Sequence, residues 1–523
     1  MRRDGKTLIL VAMIFAVAMI FIDQTIVALA IPKLQSEIHL SPTGAQWIVN
    51  GYLLSLSALF ALGGRVADVF GHRRVVLIGV STFALFSALC GATPTSSIGE
   101  TWIIVFRILQ GASAAFLFPA ALAIVVGAFP VNERGKAMAI FFSISGGLTS
   151  VGPIAGGYLT QWTWRSIFWI NVPVAIIAII LTLRTDAGSE RRPGPIDTRG
   201  AVLICVSMGL AVLGLQQAST WGWGSPATWG CLVAGLALLG VFVRQQLRTA
   251  DPLVPMRLFA DRGFAVDNAV LFLMSICFVP LFFFASVYAQ GALGESASNA
   301  GLFLLVFFGG FTAGAQWGGR VLDSRGARPT VVIGCAVAAV GFYLWGHKLP
   351  ALSFSSQWYW LAMAGVGMGM VLGPVSTDAI NRASSATYGA VTGVTQTVRN
   401  FGGSLGLAIL GSILITENVS RVKQTLSGQG VPAGKAEGIA HALSGSGGAS
   451  GSLSGGGGGG GALHAVQLDL ALSTRTVVYG MAGAMAVAFL LAVRLMPRGK
   501  AAAPIGESES PGGAPAAGAA AVG

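Results

Sequence analysis

Gly64-Arg65-Val66-Ala67-Asp68-Val69-Phe70-Gly71-His72-Arg73 returns, 255 residues further along, as Gly319-Arg320-Val321-Leu322-Asp323-Ser324-Arg325-Gly326-Ala327-Arg328. Each copy is a short loop of Gly, Asp and Arg wedged between two apolar runs long enough to cross a bilayer. A charged hinge repeated between membrane spans implies two related halves, the arrangement that lets a carrier rock about a central site.

Outward from these loops the chain stays apolar. Hydrophobic residues make up 54% of it and charged residues 10%, with mean hydropathy +0.73, whereas a soluble domain carries about 25% charged residues. Setting aside a Gly/Ser-rich stretch at 417–472 and an Ala/Pro/Gly tail at 497–523 leaves 440 residues. At roughly 30 residues per span and loop that is room for about fourteen helices. The runs fall at 8–31, 45–64, 75–94, 102–127, 137–159, 166–184, 200–218, 228–247, 264–288, 299–319, 330–347, 357–377, 391–415 and 474–496. Backbone groups in hydrocarbon must be satisfied internally, so the expectation is an all-α polytopic membrane protein. The run at 8–31 is longer than a secretory signal's apolar region of about 7–15 residues and is read as the first span.

The net charge of +12 follows topology. The basic residues form no cluster with interleaved aromatics, so no nucleic-acid partner is expected. With the N-terminus in the cytoplasm, 23 of the 32 Lys and Arg residues fall on that side and seven outside: Lys33, Arg165, Lys348, Arg421, Lys423, Lys435 and Arg475. The positive-inside rule then places both termini in the cytoplasm of a cell-membrane protein. Five cysteines, one each in five apolar segments, read as small hydrophobes with neither disulfide nor metal site. The Gly/Ser-rich stretch 417–472, whose segment Ser444 to Gly461 ends in seven glycines, is expected to be a disordered external loop, and 497–523 a disordered cytoplasmic tail.

An ionisable group at bilayer depth costs about 2.5–3.5 kcal/mol, so each one is a candidate for function. The nine glutamates and five histidines lie in loops, tails or at span ends, and of eleven aspartates only Asp23 is well inside a span. A carboxylate can exchange a proton and a guanidinium cannot, so elimination points to Asp23 as the proton carrier. Arg107 enters the fourth span to a similar depth and is placed to pair with it, and Arg399 in the thirteenth is a further buried cation. In the fifth span Gly152 and Gly156 share a face, a tight small-residue packing surface. No phosphate-binding Gly-x-x-x-x-Gly-Lys-Ser/Thr occurs, and the glycines at 365, 367 and 369 lie within an apolar helix, so the expected energy source is an ion gradient and not ATP.

These residues resemble the fourteen-span drug:proton antiporter branch of the major facilitator superfamily, over roughly residues 10–415 and the final span. Asp23-Gln24-Thr25-Ile26-Val27 with Ala30-Ile31-Pro32 is similar to that branch's first-span signature, with Ala28 in place of a usual Asn. Gly64 to Arg74 resembles the superfamily's loop motif, with Val69 in place of a usual basic residue. Arg107-Ile108-Leu109-Gln110-Gly111 resembles the fourth-span motif, and Gly152-Pro153-Ile154-Ala155-Gly156-Gly157 the antiporter motif. The resemblance implies a six-helix bundle over 1–184, two inserted helices with linkers over 185–262, and a second six-helix bundle over 263–496. It also implies a cytoplasmic gate built by Gly64, Asp68, Gly71 and Arg73 with Gly319, Asp323, Gly326 and Arg328.

The expected function is proton-coupled export of cationic or neutral amphipathic organic molecules, by a chain that acts alone and needs no cofactor. Polar candidates for the substrate cavity are Gln46, Trp47, Asn50, Gln110, Gln396, Arg399 and Asn400. A solute importer on the same scaffold and a non-transporting membrane sensor are the alternatives. An enzyme is disfavoured by the lack of a metal cluster, activated nucleophile or carboxylate pair in the spans.

Overall fold

The computed structural model describes residues 3–129, 137, 140, 141, 144, 148, 149, 151–185, 195–381, 388–429, 431, 432, 434 and 460–499. Among them the helices are α1 (Arg3–Ile38), α2 (Pro42–Phe70), α3 (His72–Gly91), α4 (Gly99–Ala128), α5 (Val151–Trp162), α6 (Ser166–Trp169), α7 (Asn171–Arg184), α8 (Thr198–Trp221), α9 (Pro226–Gln246), α10 (Arg262–Gly291), α11 (Ala297–Arg325), α12 (Ala327–Lys348), α13 (Trp358–Asn381), α14 (Tyr388–Gly428) and α15 (Gly460–Leu495). Thirteen stretches, α6 and α7 counting as one, are long and apolar enough to cross a membrane. The fourteenth expected span is represented by α5, and Gly146 and Gly147 lie outside the described residues. Thr149, Gly152, Gly156 and Thr160 meet Thr25, Thr25, Ile26 and Lys33 in turn. The fifth crossing therefore runs parallel to the first, as alternating crossings require.

The repeat first seen in the loops governs the packing of both halves. Ser41 caps α2, its Oγ accepting from Gly44 N at 2.9 Å, and 255 residues on Ser296 caps α11, accepting from Asn299 N at 3.3 Å. These caps satisfy an amide left free at each helix start. At the other ends Gly71 and Gly326 have φ of 97° and 84°, a region costly for any side chain. Their amides close back on Ala67 O and Leu322 O, both at 2.9 Å. The guanidinium of Arg73 then donates to Leu183 O at 2.9 Å, and that of Arg328 to Val493 O at 2.6 Å. Each arginine thus ties the hinge of its own half to the last turn of that half's last span, where helix carbonyls are unpaired and the dipole favours a cation.

The halves meet along three seams. Between α1 and α10, Ser286 Oγ donates to Ala28 O at 2.9 Å and Gln290 Nε2 to Leu29 O at 3.2 Å. Between α5 and α11 the backbones nearly touch: a Cβ on Gly157 would lie 2.8 Å from Ser298 Cα, and one on Gly301 2.4 Å from Pro153 O. Between α2 and α14, Gly411 lies against the Gln46 carboxamide and Ser404 Oγ donates to Asn50 Oδ1. The second and third seams are equivalents under the repeat, and the first joins equivalent helices to each other.

The pair α8 and α9 leans on this seam. Ile204 and Met208 share a cluster with Ala58 of α2 and Val391 and Val394 of α14, so the inserted helices touch both halves. The stretch 417–472, read from sequence as a disordered loop, is helical at 417–428 and from 460 onward. Hydropathy falls at Glu417 and Asn418, but the helix continues amphipathically. Arg421 pairs with Glu417 at 2.6 Å, while Val422 and Leu426 bury against Val466. Residues 444–459 and 500–523, expected to be disordered, lie outside the described residues.

Candidate functional site

Asp23 sits mid-way along α1 and Arg107 two turns into α4, and packing brings them together with side-chain exposures of 0% and 1%. Arg107 Nη1 donates to Asp23 Oδ2 at 2.5 Å and to Gln110 Oε1 at 2.8 Å, and Gln110 Nε2 donates to Asp23 Oδ1 at 3.0 Å. The three side chains close a ring. Both oxygens of Asp23 face donors. The guanidinium also donates through Nε to Ile48 O at 2.9 Å and lies over the Tyr52 ring, 4.4 Å from its centroid. With these bonds the charge is compensated on several sides, the condition under which a buried ion pair is tolerated.

Gln110, expected in the cavity, is bonded within this ring, which its spacing of three from Arg107 on one helix allows. Tyr52 was not anticipated. Thr25, two residues beyond Asp23, donates to Thr149 O at 2.9 Å. Gly152 gives that hydroxyl room, since a Cβ there would lie 1.9 Å from Thr25 Oγ1, and one on Gly156 would lie 2.9 Å from Ile26. The small-residue face of α5 thus lies against the turns of α1 that carry the carboxylate, with buried Pro153 between α1 and α11.

A second polar junction lies in the seam. Asn50 Nδ2 reaches the Gln216 carboxamide of α8 while its Oδ1 accepts from Ser404, and Gln216 also stands 3.1 Å from the Trp47 indole nitrogen. Asn50 and Trp47 are therefore brought together, with Gln216 and Ser404 as residues that sequence reasoning missed. Two glutamines inside the apolar run 200–218 were the available signal for the first. Gln46 is buried against Gly411, Asn400 is buried and Gln396 half-buried on α14, and Arg399 stands apart from the ring.

Among the gate residues, Asp68 Oδ1 accepts from His72 Nε2 at 3.1 Å within its own loop. Gly64 faces Pro119 Cβ at 3.7 Å from an added Cβ, and Gly319 faces open space. Arg73 and Arg328 brace their own halves as described above. In this conformation no cross-half bond from these side chains is among those described, and the Asp323 side chain lies outside the described residues. No metal-ligating group of three or more side chains occurs among the described residues.

Two pseudo-equivalent helical halves, one of them holding a buried charge ring, define a polytopic carrier. The chain belongs to the Major Facilitator Superfamily, whose family model matches residues 13–407, and it is a membrane transporter and not an enzyme. It is 34% identical over 419 residues to the tetracenomycin C resistance and export protein of Streptomyces glaucescens, covering 79% of this chain and 76% of that one. It is 33% identical to the cephamycin export protein CmcT of Amycolatopsis lactamdurans, over 75% and 82% of the two chains. The puromycin resistance protein pur8 of Streptomyces alboniger is 32% identical, over 77% and 81%. Among solved structures, a bacterial homologue of the human lysosomal transporter Spinster aligns with TM-score 0.65 at 16% identity, over 95% of this chain and 98% of that one, a likeness of fold.

Proposed function

We propose that this chain exports amphipathic organic molecules from the cytoplasm across the cell membrane in exchange for protons, by alternating access. The observation that carries the reading is the ring of Asp23, Arg107 and Gln110. A carboxylate at this depth can take up and give back a proton while the guanidinium beside it cannot, so protonation removes the ion pair with Arg107 and leaves Asp23 able to accept only one of the two bonds donated to it, which weakens what holds α1 to α4. The antibiotic-export relatives supply the direction and the substrate class. The distribution of Lys and Arg supports cytoplasmic termini, and the three seams then lie toward the outside, so the conformation described is the one closed to the exterior. Gly64, Asp68, Gly71 and Arg73 with their repeat, Gly319, Asp323, Gly326 and Arg328, act at the cytoplasmic end, engaging across the halves when the carrier turns outward.

The test is transport in proteoliposomes containing the purified chain, with ethidium and neutral polycyclic quinones as probes and a pH gradient imposed in sodium-free buffer. Accumulation against the probe gradient that collapses with a protonophore is the expected result. Downhill movement indifferent to the pH gradient would indicate a facilitator, and no movement of any probe would favour a sensor.

A further inference from the structure

Arg399 has no described partner, in contrast to Arg107. It lies on α14, inside the fold, and its guanidinium takes part in no described hydrogen bond or ion pair and has no acidic neighbour acting on it. The residue as a whole is half-buried. A cation at such depth is costly to insert, and nothing described in the chain offsets it.

Its surroundings share the same deficit. Thr392, Thr395, Arg399 and Gly402 follow one another at spacings of three and four, which sets them on one face of α14. Gly402 fixes the direction of that face: a Cβ there would meet Phe272 O at 2.7 Å and Ser275 Cβ at 3.1 Å, so the face looks at α10. The hydroxyls of Thr392, Thr395 and Ser275 are all buried without a partner. Buried polar groups are nearly always bonded, and each orphan calls for an explanation. Here three hydroxyls and a guanidinium gather with donors unused.

We propose that the Arg399 face of α14 is a binding site for the carboxylate of an acidic amphipathic molecule. The planar guanidinium offers a carboxylate two parallel N–H donors, and the hydroxyls can donate to the remaining lone pairs. The inference rests on the exporter reading for the identity of the ligand as cargo, and it replaces the expectation of cationic or neutral substrates with one that includes acids. The ion-pair ring is a separate site, so acid binding need not disturb Asp23.

The experiment measures binding apart from transport. The full chain in detergent is titrated with matched pairs of polycyclic aromatic carboxylic acids and their methyl esters, and thermal stabilisation gives apparent affinities for wild type, Arg399→Gln and Arg399→Lys. Acids are expected to bind about tenfold more tightly than their esters, as a charge-assisted pair implies. Arg399→Gln should erase that difference, and Arg399→Lys should retain part of it while reporting on folding. Equal affinity of acids and esters, no stabilisation by any pair, or an unchanged preference in Arg399→Gln overturns the proposal. Stabilisation by phosphatidylglycerol that Arg399→Gln abolishes, with no acid preference, would assign the cation to a lipid headgroup and overturn it as well. An acid preference that depends on Arg399, in a protein that moves no probe along a pH gradient, supports the site and removes the exporter reading alone.

Discussion

Replacing Asp23 by Asn removes one proton-exchanging group and leaves the shape of the side chain almost unchanged. The ring then cannot be satisfied. If the new amide presents its oxygen to Arg107, its NH2 faces Gln110 Nε2, 3.0 Å from the position of Oδ1. If Gln110 turns to accept that NH2, its own NH2 faces Arg107 Nη1, 2.8 Å from where Oε1 now sits. One donor–donor contact survives either way, and the guanidinium loses its anion. Breaking a buried pair by removing one partner costs about 3–5 kcal/mol, and the bond to Arg107 that Asn retains places this variant near the lower end. The functional change is larger. On the exporter reading, with Asp23 carrying one proton per cycle, a pH difference of one unit is worth about 1.36 kcal/mol, or about tenfold accumulation of a neutral substrate. In Asp23→Asn that ratio should fall to unity while exchange of labelled for unlabelled substrate persists. The assay is probe accumulation in proteoliposomes across pH steps of one unit, with detergent thermal stability as a control for folding. Undiminished pH-driven accumulation by Asp23→Asn would refute the coupling role. A stability loss no smaller in Asp23→Asn/Arg107→Gln than the sum of the single losses would refute the ring as a unit, because side chains bonded to each other must couple.

Arg73→Ala and Arg328→Ala should each lower stability by about 1 kcal/mol through loss of one charge-assisted bond to a helix end, and their effects should add because the bonds lie in different halves; thermal unfolding of the single and double variants reads both. Gly301→Val should force α11 from α5, given the 2.4 Å approach of an added Cβ to Pro153 O, and so raise the labelling of a cysteine placed at Gln161 while lowering turnover. Replacing Ser444 to Gly461 by a four-residue Gly/Ser linker should leave transport rates intact, since loop closure changes by only about 0.6 kcal/mol per doubling of length; a severe loss in a well-inserted variant would assign that segment a role.

Much of the fold could be read from the chain because hydropathy sets the spans and the duplicated loop sets the relation between them. Asp23 and Arg107 were accessible by elimination, as a charge inside an apolar run must find a partner. The bond of Gln110 to Arg107 was missed because its polarity was weighed and its helical spacing from Arg107 was not. Other features depend on tertiary packing with no local trace. Tyr52 meets Arg107 only because Gly111 lets α4 close on α2, an added Cβ there coming within 2.3 Å of Tyr52 O. Ser404 meets Asn50 because α2 and α14 pack as a seam, and Gln216 meets it because α8 settles against that seam. The ends of α14 and α15 escaped because a hydropathy window stops where an amphipathic helix turns polar, although the helix itself continues on hydrogen bonds and the burial of Val422 and Leu426.

The duplication is one of scaffold and not of charge. The 255-residue offset that relates Ser41 to Ser296, Gly63 to Gly318 and Arg73 to Arg328 sets Phe278 opposite Asp23 and Ala362 opposite Arg107. Phe278 packs among rings, 5.1 Å from Phe282 and 5.4 Å from Phe311, where nothing titrates. On the exporter reading, protonation of Asp23 therefore acts directly on one half, and its free energy has to reach the other across the seams. The helix that carries Asp23 is suited to this. Past the carboxylate, α1 holds α5 through Thr25 and Ile26 and holds α10 through the carbonyls of Ala28 and Leu29, while α5 in turn meets α11. Two of the three seams thus depend on α1 or on the helix packed against it. On the exporter reading, loss of the Arg107 contact frees α1 from α4 and weakens the geometry that keeps those seams shut, so a single carboxylate in one half can bias the conformation of both.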